Sequence, residues 1–326
     1  MPGQLNNRPV SADYGWTKPQ FVIYNNGVSK SAAPHFSIVI PCYNEANYIG
    51  ATLDSLQAQD TTASFEIIIV DNNCSDQTVS IASNRGTRII TEKTSGVCCA
   101  RQAGTQAARG EIVISTDADT LFSPHWLSTI EAAFQRNSRC IAVAGPCRYY
   151  NGPWWGKAYP RLLFGGVYWY YRLTGRPFYI TATNIAFKKS AWEGYDVTAT
   201  QGGDELTLLH SLRKKGKIVF NNSNPVFTSA RRLKKGLLYN VFATFLFYYL
   251  GAYYINRLFG RIVLGPAPAY RENSLPSKAV ARLGYGLTPL LVLLAVGLSF
   301  QPSRNDITHM ARRTAAVVAH KVSDPI

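Results

Sequence analysis

From Phe36 onward the chain alternates between two periodicities. A short, unbroken apolar run is followed by a polar loop, and the loop by a stretch with apolar residues at helical spacing. "FSIVIP" ends at Pro41, and "NEANYIGATLDSLQAQ" follows with Ile49, Leu53 and Leu56 on one face. The same unit recurs as "FEIIIVD" with "NNCSDQTVSIASN", as "TRIIT" with "SGVCCARQAGTQAARG", and as "EIVIST" with "DADTLFSPHWLSTIEAAFQRN". Runs this continuously apolar predict strands buried on both faces, and therefore a mostly parallel sheet between helix layers in an α/β fold. No repeat beyond this alternation is visible.

In such sheets the loops and helix N-termini converge at the carboxyl ends of the strands, where ligands bind. The four loops are "PCYNEA", "DNNCSDQT", "EKTSGV" and "DADTLF". Asp71 closes its strand and can accept hydrogen bonds from a base or ribose, while Ser75 or Asp76 is suited to cap the next helix. The fourth loop sets two carboxylates together. On an extended backbone residues i and i+2 share a face, so Asp117 and Asp119 would look into one pocket while Ala118 turns away. Like charges that close repel unless a cation or hydrogen bonds intervene. A hard divalent ion shared with a diphosphate resolves the conflict. The competing explanation is an Asp-rich turn capping the helix at "SPHWL", and the position at a fourth strand end favours the ion.

Composition narrows the partners. The chain has 326 residues, enough for one large α/β domain or two ordinary ones, and 34 Lys+Arg against 19 Asp+Glu leave a formal charge of +15. That excess favours nucleotides, nucleic acid or an acidic membrane face. Cys42, Cys74, Cys98, Cys99, Cys140 and Cys147 include no C-x-x-C pair, which points to reduced cytosolic thiols rather than disulfides or zinc. Cys98 and Cys99 are adjacent and read as small core-filling residues. The polar opening "MPGQLNNRPVSADYGWTKPQ" shows no apolar signal segment and reads as a flexible lead-in.

The segment "YYNGPWWGKAYPRLLFGGVYWYYRLTGRPFYITATN" is dense in Trp and Tyr. It fits either a large aromatic core or an acceptor surface, since aromatic faces stack on sugars and suit a membrane interface. "ATNIAFKKSAWEGY" reads as a strand and a short helix, with Thr183 and Asn184 able to hydrogen-bond an acceptor or donor sugar. Beyond Arg232, Leu237 to Asn256 is uncharged but rich in Tyr and Phe, as an interfacial or groove-forming helix would be. Leu283 to Ser303 is the better transmembrane candidate, and basic residues on both sides leave its orientation unset.

As an ordered set, these motifs resemble the family 2 nucleotide-sugar glycosyltransferases of the GT-A fold, in a membrane-associated form. The resemblance rests on "FSIVIPCYNEANYIGATLDSL", "FEIIIVDNNCSDQT", "GVCCARQAGTQAARGEIVISTDADT", "TATNIAFKKSAWEGYD", "GGDELTLLHSLRKKGKI" and "TSARRLKKG", over about residues 35 to 235. It implies a Rossmann-like sheet flanked by helices, followed by C-terminal apolar helices. Pro41, Glu45, Asp71 and Arg101 would line the nucleoside site, and Asp117 would lie near the ribose or metal. Asp119 would hold Mg²⁺ or Mn²⁺ on the donor diphosphate, while Arg231 and Arg232 would neutralise the leaving group. Asp204 or Glu205, with Asp204 slightly favoured, would be the base that takes the acceptor's proton. The chain departs from the family pattern at Gln102, where Asn is common, and at Asp204-Glu205, where the usual order is Glu-Asp.

The implied organisation is a lead-in over 1–34 and a catalytic domain over 35–235, with a nucleotide-binding half at 35–120 and an acceptor half at 121–235. An interfacial segment over 236–282, a transmembrane helix over 283–303 and a basic tail over 304–326 follow. The expected activity is inverting, metal-assisted transfer from a nucleotide-sugar, UDP-sugar favoured, to a hydroxyl or phosphate of a lipid-linked or envelope glycan. The membrane is the expected partner, with the catalytic domain cytoplasmic and no nucleic acid bound. A sugar-1-phosphate nucleotidyltransferase would need a Gly-rich basic first loop, which "PCYNEANYIG" lacks. A non-catalytic basic membrane or nucleic-acid-binding protein leaves the ordered acidic motifs unexplained, because aspartates oppose phosphate without a metal.

Overall fold

The computed structural model describes residues 33–197, 203–236, 238–240, 242, 246–247, 251–259 and 263–264. Its first four strands are β1 (Phe36–Cys42), β2 (Phe65–Asp71), β3 (Arg88–Thr91) and β4 (Ile112–Ser115). Each is followed by a helix: α1 (Ile49–Gln57), α2 (Thr78–Ser83), α3 (Val97–Ala107) and, after a short β5 (Thr120–Leu121), α4 (Trp126–Gln135). The four strand-loop-helix units expected from the periodicity are all present. Next come β6 (Cys140–Ala144), β7 (Cys147–Tyr150), α5 (Trp154–Thr174), β8 (Ile185–Lys188), α6 (Leu208–Lys215), β9 (Lys217–Phe220), β10 (Val226–Ser229) and α7 (Ala252–Phe259).

Seven strands form one sheet in the order β3-β2-β1-β4-β8-β6-β9, parallel except where β8 runs against β4 and β6. A second sheet, β5-β10-β7, has three strands. In the large sheet Phe36, Ile38, Val39 and Ile40 of β1 and Ile68, Ile69 and Val70 of β2 are fully buried, as strands covered on both faces must be. Registers pair Cys42 with Asp71, Asp71 with Thr91, and Ser115 with Val39. The loops after β1, β2, β3 and β4 therefore open at one carboxyl edge. Because β8 is antiparallel, with Ile185 opposite Ser115, residues 181–184 enter the sheet at that same edge.

Helix α3 lies close on β1 and β2 because Gly104 faces them. A Cβ there would stand 2.3 Å from Val39 Cγ1 and 2.8 Å from Val70 Cγ2. Gly104→Ala is expected to destabilise the fold by about 1–3 kcal/mol through overpacking. Urea unfolding checks this, and an unchanged midpoint would contradict it.

The aromatic segment is divided between core and surface. α5 buries Phe164 and Val167 in the core, while Trp169 and Leu162 remain largely exposed. Among the described residues no helix is long and apolar enough to cross a membrane. The segment Leu237 to Asn256 is described only in part, with α7 beginning at Ala252. Leu283 to Ser303, the basic tail and residues 1–32 lie outside the described residues.

Candidate active site

The carboxyl edge is organised by asparagines that stitch each strand-end loop to the next. Asn44, in a left-handed conformation at φ 56°, accepts from the Ser75 N–H at 2.7 Å. Asn72 donates to the carbonyls of Glu92 and Thr94 and accepts from the Gly96 N–H at 2.9 Å. Asn73, at φ 69°, donates to the Lys93 carbonyl and the Ser95 hydroxyl. Short side chains that tolerate φ > 0 can make such turns while bonding neighbouring backbone. Asp71 accepts from the Cys74 N–H at 2.8 Å, which fixes the loop beside Pro41 at the end of β1. Of the two expected caps, Asp76 accepts from the Thr78 N–H at the start of α2 and from the Ala46 N–H. It ties the first loop to the second, while the residue at the cap position of α2 is Gln77, which makes no side-chain cap bond.

The fourth loop differs from the extended arrangement that the D-x-D spacing suggests. β4 ends at Ser115, and Asp117 and Asp119 lie beyond it in a turn, so the alternation of faces does not apply. The two side chains are bound by different groups. Asp117 Oδ1 lies 2.6 Å from Arg101 Nη2, and Oδ2 accepts from the Thr183 hydroxyl at 2.6 Å. Asp119 Oδ1 accepts from the Thr228 hydroxyl at 3.1 Å, and Oδ2 lies 3.2 Å from Arg231 Nη2. Ala118 is buried between them, and its carbonyl accepts from Thr52. Each aspartate thus has its own arginine. Burial pushes the Asp117 carboxyl up, but Arg101 and the Thr183 hydroxyl outweigh it and hold the group below its ordinary range. Burial dominates at Asp119 and raises it against the opposing charge of Arg231, while the charge of Asp117 raises it further.

Arg231 is held from the first loop. Its guanidinium makes a two-pronged pair with Glu45, at 2.6 and 2.5 Å, and lies 4.8 Å from the centre of the Tyr48 ring. Burial raises the Glu45 carboxyl, opposed by Arg231. Glu45, expected at the nucleoside, thus belongs to a Glu45–Arg231–Asp119 chain. Arg232 is exposed, and its charge still acts to lower both Asp117 and Asp119.

Arg101 is also placed differently from its expected part in the nucleoside wall. It is 3% exposed and spent on protein acceptors: Asp117, Asp204 at 2.9 Å, the Ser115 hydroxyl and the Thr116 carbonyl. One guanidinium therefore joins the fourth loop to the turn Gly203–Thr207 that precedes α6. Asp204 and Glu205 stand side by side in that turn with different partners. Asp204 is ion-paired to Arg101. Glu205 is held by neutral donors, the Ala182 N–H at 2.8 Å and the Tyr179 hydroxyl at 3.1 Å. Burial, and next the charge of Asp204, push the Glu205 carboxyl up to about 8.

Thr183 holds Asp117, as described, and Asn184 is structural. Asn184 is 3% exposed, its carbonyl oxygen accepts from the Trp126 indole N–H, and its amide donates to the carbonyls of Pro146 and Asn224. Both of its amide hydrogens are used within the protein, so its side chain has no donor left for a sugar. Gln102, the departure in the third motif, accepts from the Tyr195 N–H at 2.8 Å.

Residues 37–195 match the model of glycosyl transferase family 2. This segment is similar to the family 2 glycosyltransferases. A "PGL/p-HBAD biosynthesis glycosyltransferase" of Mycobacterium bovis is 34% identical over 143 residues, covering 41% of this chain and 56% of that protein. An "Uncharacterized glycosyltransferase" of the same species is 34% identical over 83 residues, covering 26% of this chain and 36% of its own length. The chain thus spans 56% and 36% of the lengths of these two curated relatives. The mannosyltransferase PcManGT of Pyrobaculum calidifontis, solved with GDP-Man and Mn²⁺, shares the fold with a TM-score of 0.53, 18% identity, and coverage of 91% of this chain and 77% of that one. The large mostly parallel sheet with flanking helices is consistent with the GT-A architecture of the family 2 domain.

The donor set can be tested against a divalent ion. No group of three His, Cys, Asp or Glu side chains converges among the described residues. Both aspartates have a protein partner on each oxygen: Asp117 meets Arg101 and Thr183 at 2.6 Å, and Asp119 meets Thr228 at 3.1 Å and Arg231 at 3.2 Å. The longer contacts at Asp119 are the ones a hard cation held by one carboxylate would replace, with phosphate oxygens completing its shell.

Proposed function

We propose that this chain is an inverting glycosyltransferase that moves a sugar from a nucleotide-sugar, UDP-sugar favoured, to a hydroxyl or phosphate of a lipid-linked or envelope glycan acceptor. The observation that carries the reading is the link made by Arg101. It ties the Asp117 loop, at the nucleotide-binding edge, to the turn that presents Glu205. Donor and base are thereby assembled at one edge of the sheet.

In this reading the Asp71 loop receives the nucleoside, and Arg231 and Arg232 face the diphosphate. Asp119 would hold Mg²⁺ or Mn²⁺, which when bound would supply charge stabilisation for the leaving nucleoside diphosphate. Arg231 can exchange Asp119 for a phosphate oxygen, because its guanidinium stays anchored on Glu45 through Nη1 and Nη2 while only Nη2 also faces Asp119. Of the two carboxylates in "GGDEL", Glu205 is the base. A carboxyl raised to about 8 is a strong proton acceptor, whereas the Asp204 side chain is engaged by the Arg101 guanidinium at 2.9 Å. As the acceptor oxygen attacks the anomeric carbon, its proton passes to Glu205 and the bond to the diphosphate breaks with inversion. An acceptor phosphate would need no such base. Attachment to the inner face of a membrane follows from the lipid-linked acceptor and from the uncharged C-terminal segments.

The test is calorimetric titration of UDP and GDP with and without Mn²⁺ or Mg²⁺. Wild type is expected to bind UDP with metal at least about tenfold more tightly than without it, and Asp119→Ala to lose that gain. Metal-independent binding untouched by the substitution would sink the assignment of Asp119.

A further inference from the structure

Helix α5 turns an apolar face outward. Leu162 is 77% exposed, Trp169 66% and Leu173 38%, and Gly165 and Gly166 between them are exposed as well. Positions 162, 165, 166, 169 and 173 follow the three-four spacing of a single helix face, distinct from the one that buries Phe164 and Val167. A Cβ on either glycine would meet nothing within 4 Å, so among the described residues neither is explained by packing. Phe178, just past the helix, is 45% exposed and packs its edge on Tyr170. Basic residues border this face. From Trp154 to Thr174 the helix contains no Asp or Glu, while Lys157, Arg161 and Arg172 on it and Arg176 after it are exposed.

We propose that the outward face of α5, continued by Phe178, rests in the headgroup layer of an anionic lipid bilayer. An apolar stripe with an aromatic at its centre and only basic residues beside it matches the two attractions such a surface offers, apolar burial and negative charge. The helix is also attached to the site at both ends. Gly156 faces Leu233, in the turn that carries Arg231 and Arg232, with a Cβ there only 2.5 Å from Leu233 Cδ1. Past its other end, Tyr179 follows the exposed Phe178 and holds Glu205. A helix lying on the bilayer would bring a bilayer-borne acceptor to that carboxylate, a consequence that rests on the glycosyltransferase reading; the docking itself does not.

The experiment uses the full chain with vesicles of phosphatidylcholine alone and of phosphatidylcholine with phosphatidylglycerol. Sedimentation is expected to favour the anionic vesicles, to weaken as salt rises, and to fall at least about tenfold in Leu162→Glu/Trp169→Glu. Lipids brominated near the headgroup are expected to quench wild-type tryptophan fluorescence and to lose part of that quenching in the conservative Trp169→Phe. This second readout works even if another segment also holds the chain on the vesicle. Equal sedimentation of the double variant together with unchanged quenching in Trp169→Phe would overturn the proposal, as would equal binding to neutral vesicles or binding to neither. A docking face for a protein partner would give that last result. UDP titration of the same variants keeps the two questions separate, since failure of the transferase reading would show there and leave the vesicle result standing.

Discussion

Glu205→Gln is expected to cut sugar transfer by about 10²–10⁴-fold, the usual contribution of a positioned base, while leaving UDP binding in place. The pH profile of the wild type should carry the same signature. Burial and the neighbouring Asp204 raise the Glu205 carboxyl to about 8, and only its ionised form can accept the proton. With a hydroxyl acceptor, kcat/KM is therefore expected to climb about tenfold per pH unit at neutral pH and to level above about 8. The Tyr179 hydroxyl donates to Glu205 and lowers its pKa, so Tyr179→Phe should move the inflection upward. Stability has the opposite sign. The folded chain keeps this proton after the unfolded chain has released its own, so stability falls as pH rises between about 4.5 and about 8. Glu205→Gln should remove that part of the slope. Donor turnover in the presence of an acceptor extract, followed across pH, checks the rate. Full activity in Glu205→Gln and loss in Asp204→Asn would transfer the base to Asp204.

Arg101→Met is expected to be the most damaging single change to the fold. It would leave Asp117 and the buried Asp204 without their counter-charge, a loss of about 3–5 kcal/mol for one side of a buried pair. Arg101→Lys should rescue little, because an ammonium cannot reproduce a planar fork that meets Asp204 through Nε and Asp117 through Nη2. Urea unfolding measures both variants. A shift under about 1 kcal/mol in Arg101→Met would show that the junction contributes little net stability.

Local pattern was enough for the parallel half of the fold. The runs at β1, β2 and β4 are apolar on both faces, and that alone reports a covered parallel sheet. The insertion of antiparallel β8 between β4 and β6, and the small β5-β10-β7 sheet, depend on pairings between segments far apart in the chain, which short-range periodicity does not encode. The same distinction runs through the site. Asp71 could be placed at a strand end from its position in "FEIIIVD". Arg101 could not be read as a buried junction, because its partner Asp204 lies 103 residues away. The spacing argument for Asp117 and Asp119 assumed a strand that continues past Ser115, and the turn there separates their surroundings. Tyr179 and Thr183 sit in a segment read mainly for its aromatic content, and their bonds to Glu205 and Asp117 are again long-range. The asparagines at 44, 72 and 73 carried a usable signal, since Asn in a loop after an apolar run is a common means of entering the left-handed region.

Those asparagine stitches bear on selectivity among nucleotides. Loops already cross-linked by side chain to backbone bonds have little freedom left to surrender when a ligand arrives, so binding incurs little ordering entropy. In such a preformed edge the difference in affinity between UDP and GDP is set by the shape and hydrogen-bonding pattern of the base itself. Discrimination between donors becomes a property of the ligand's edge meeting a fixed template, and not of how well the protein can fold around it.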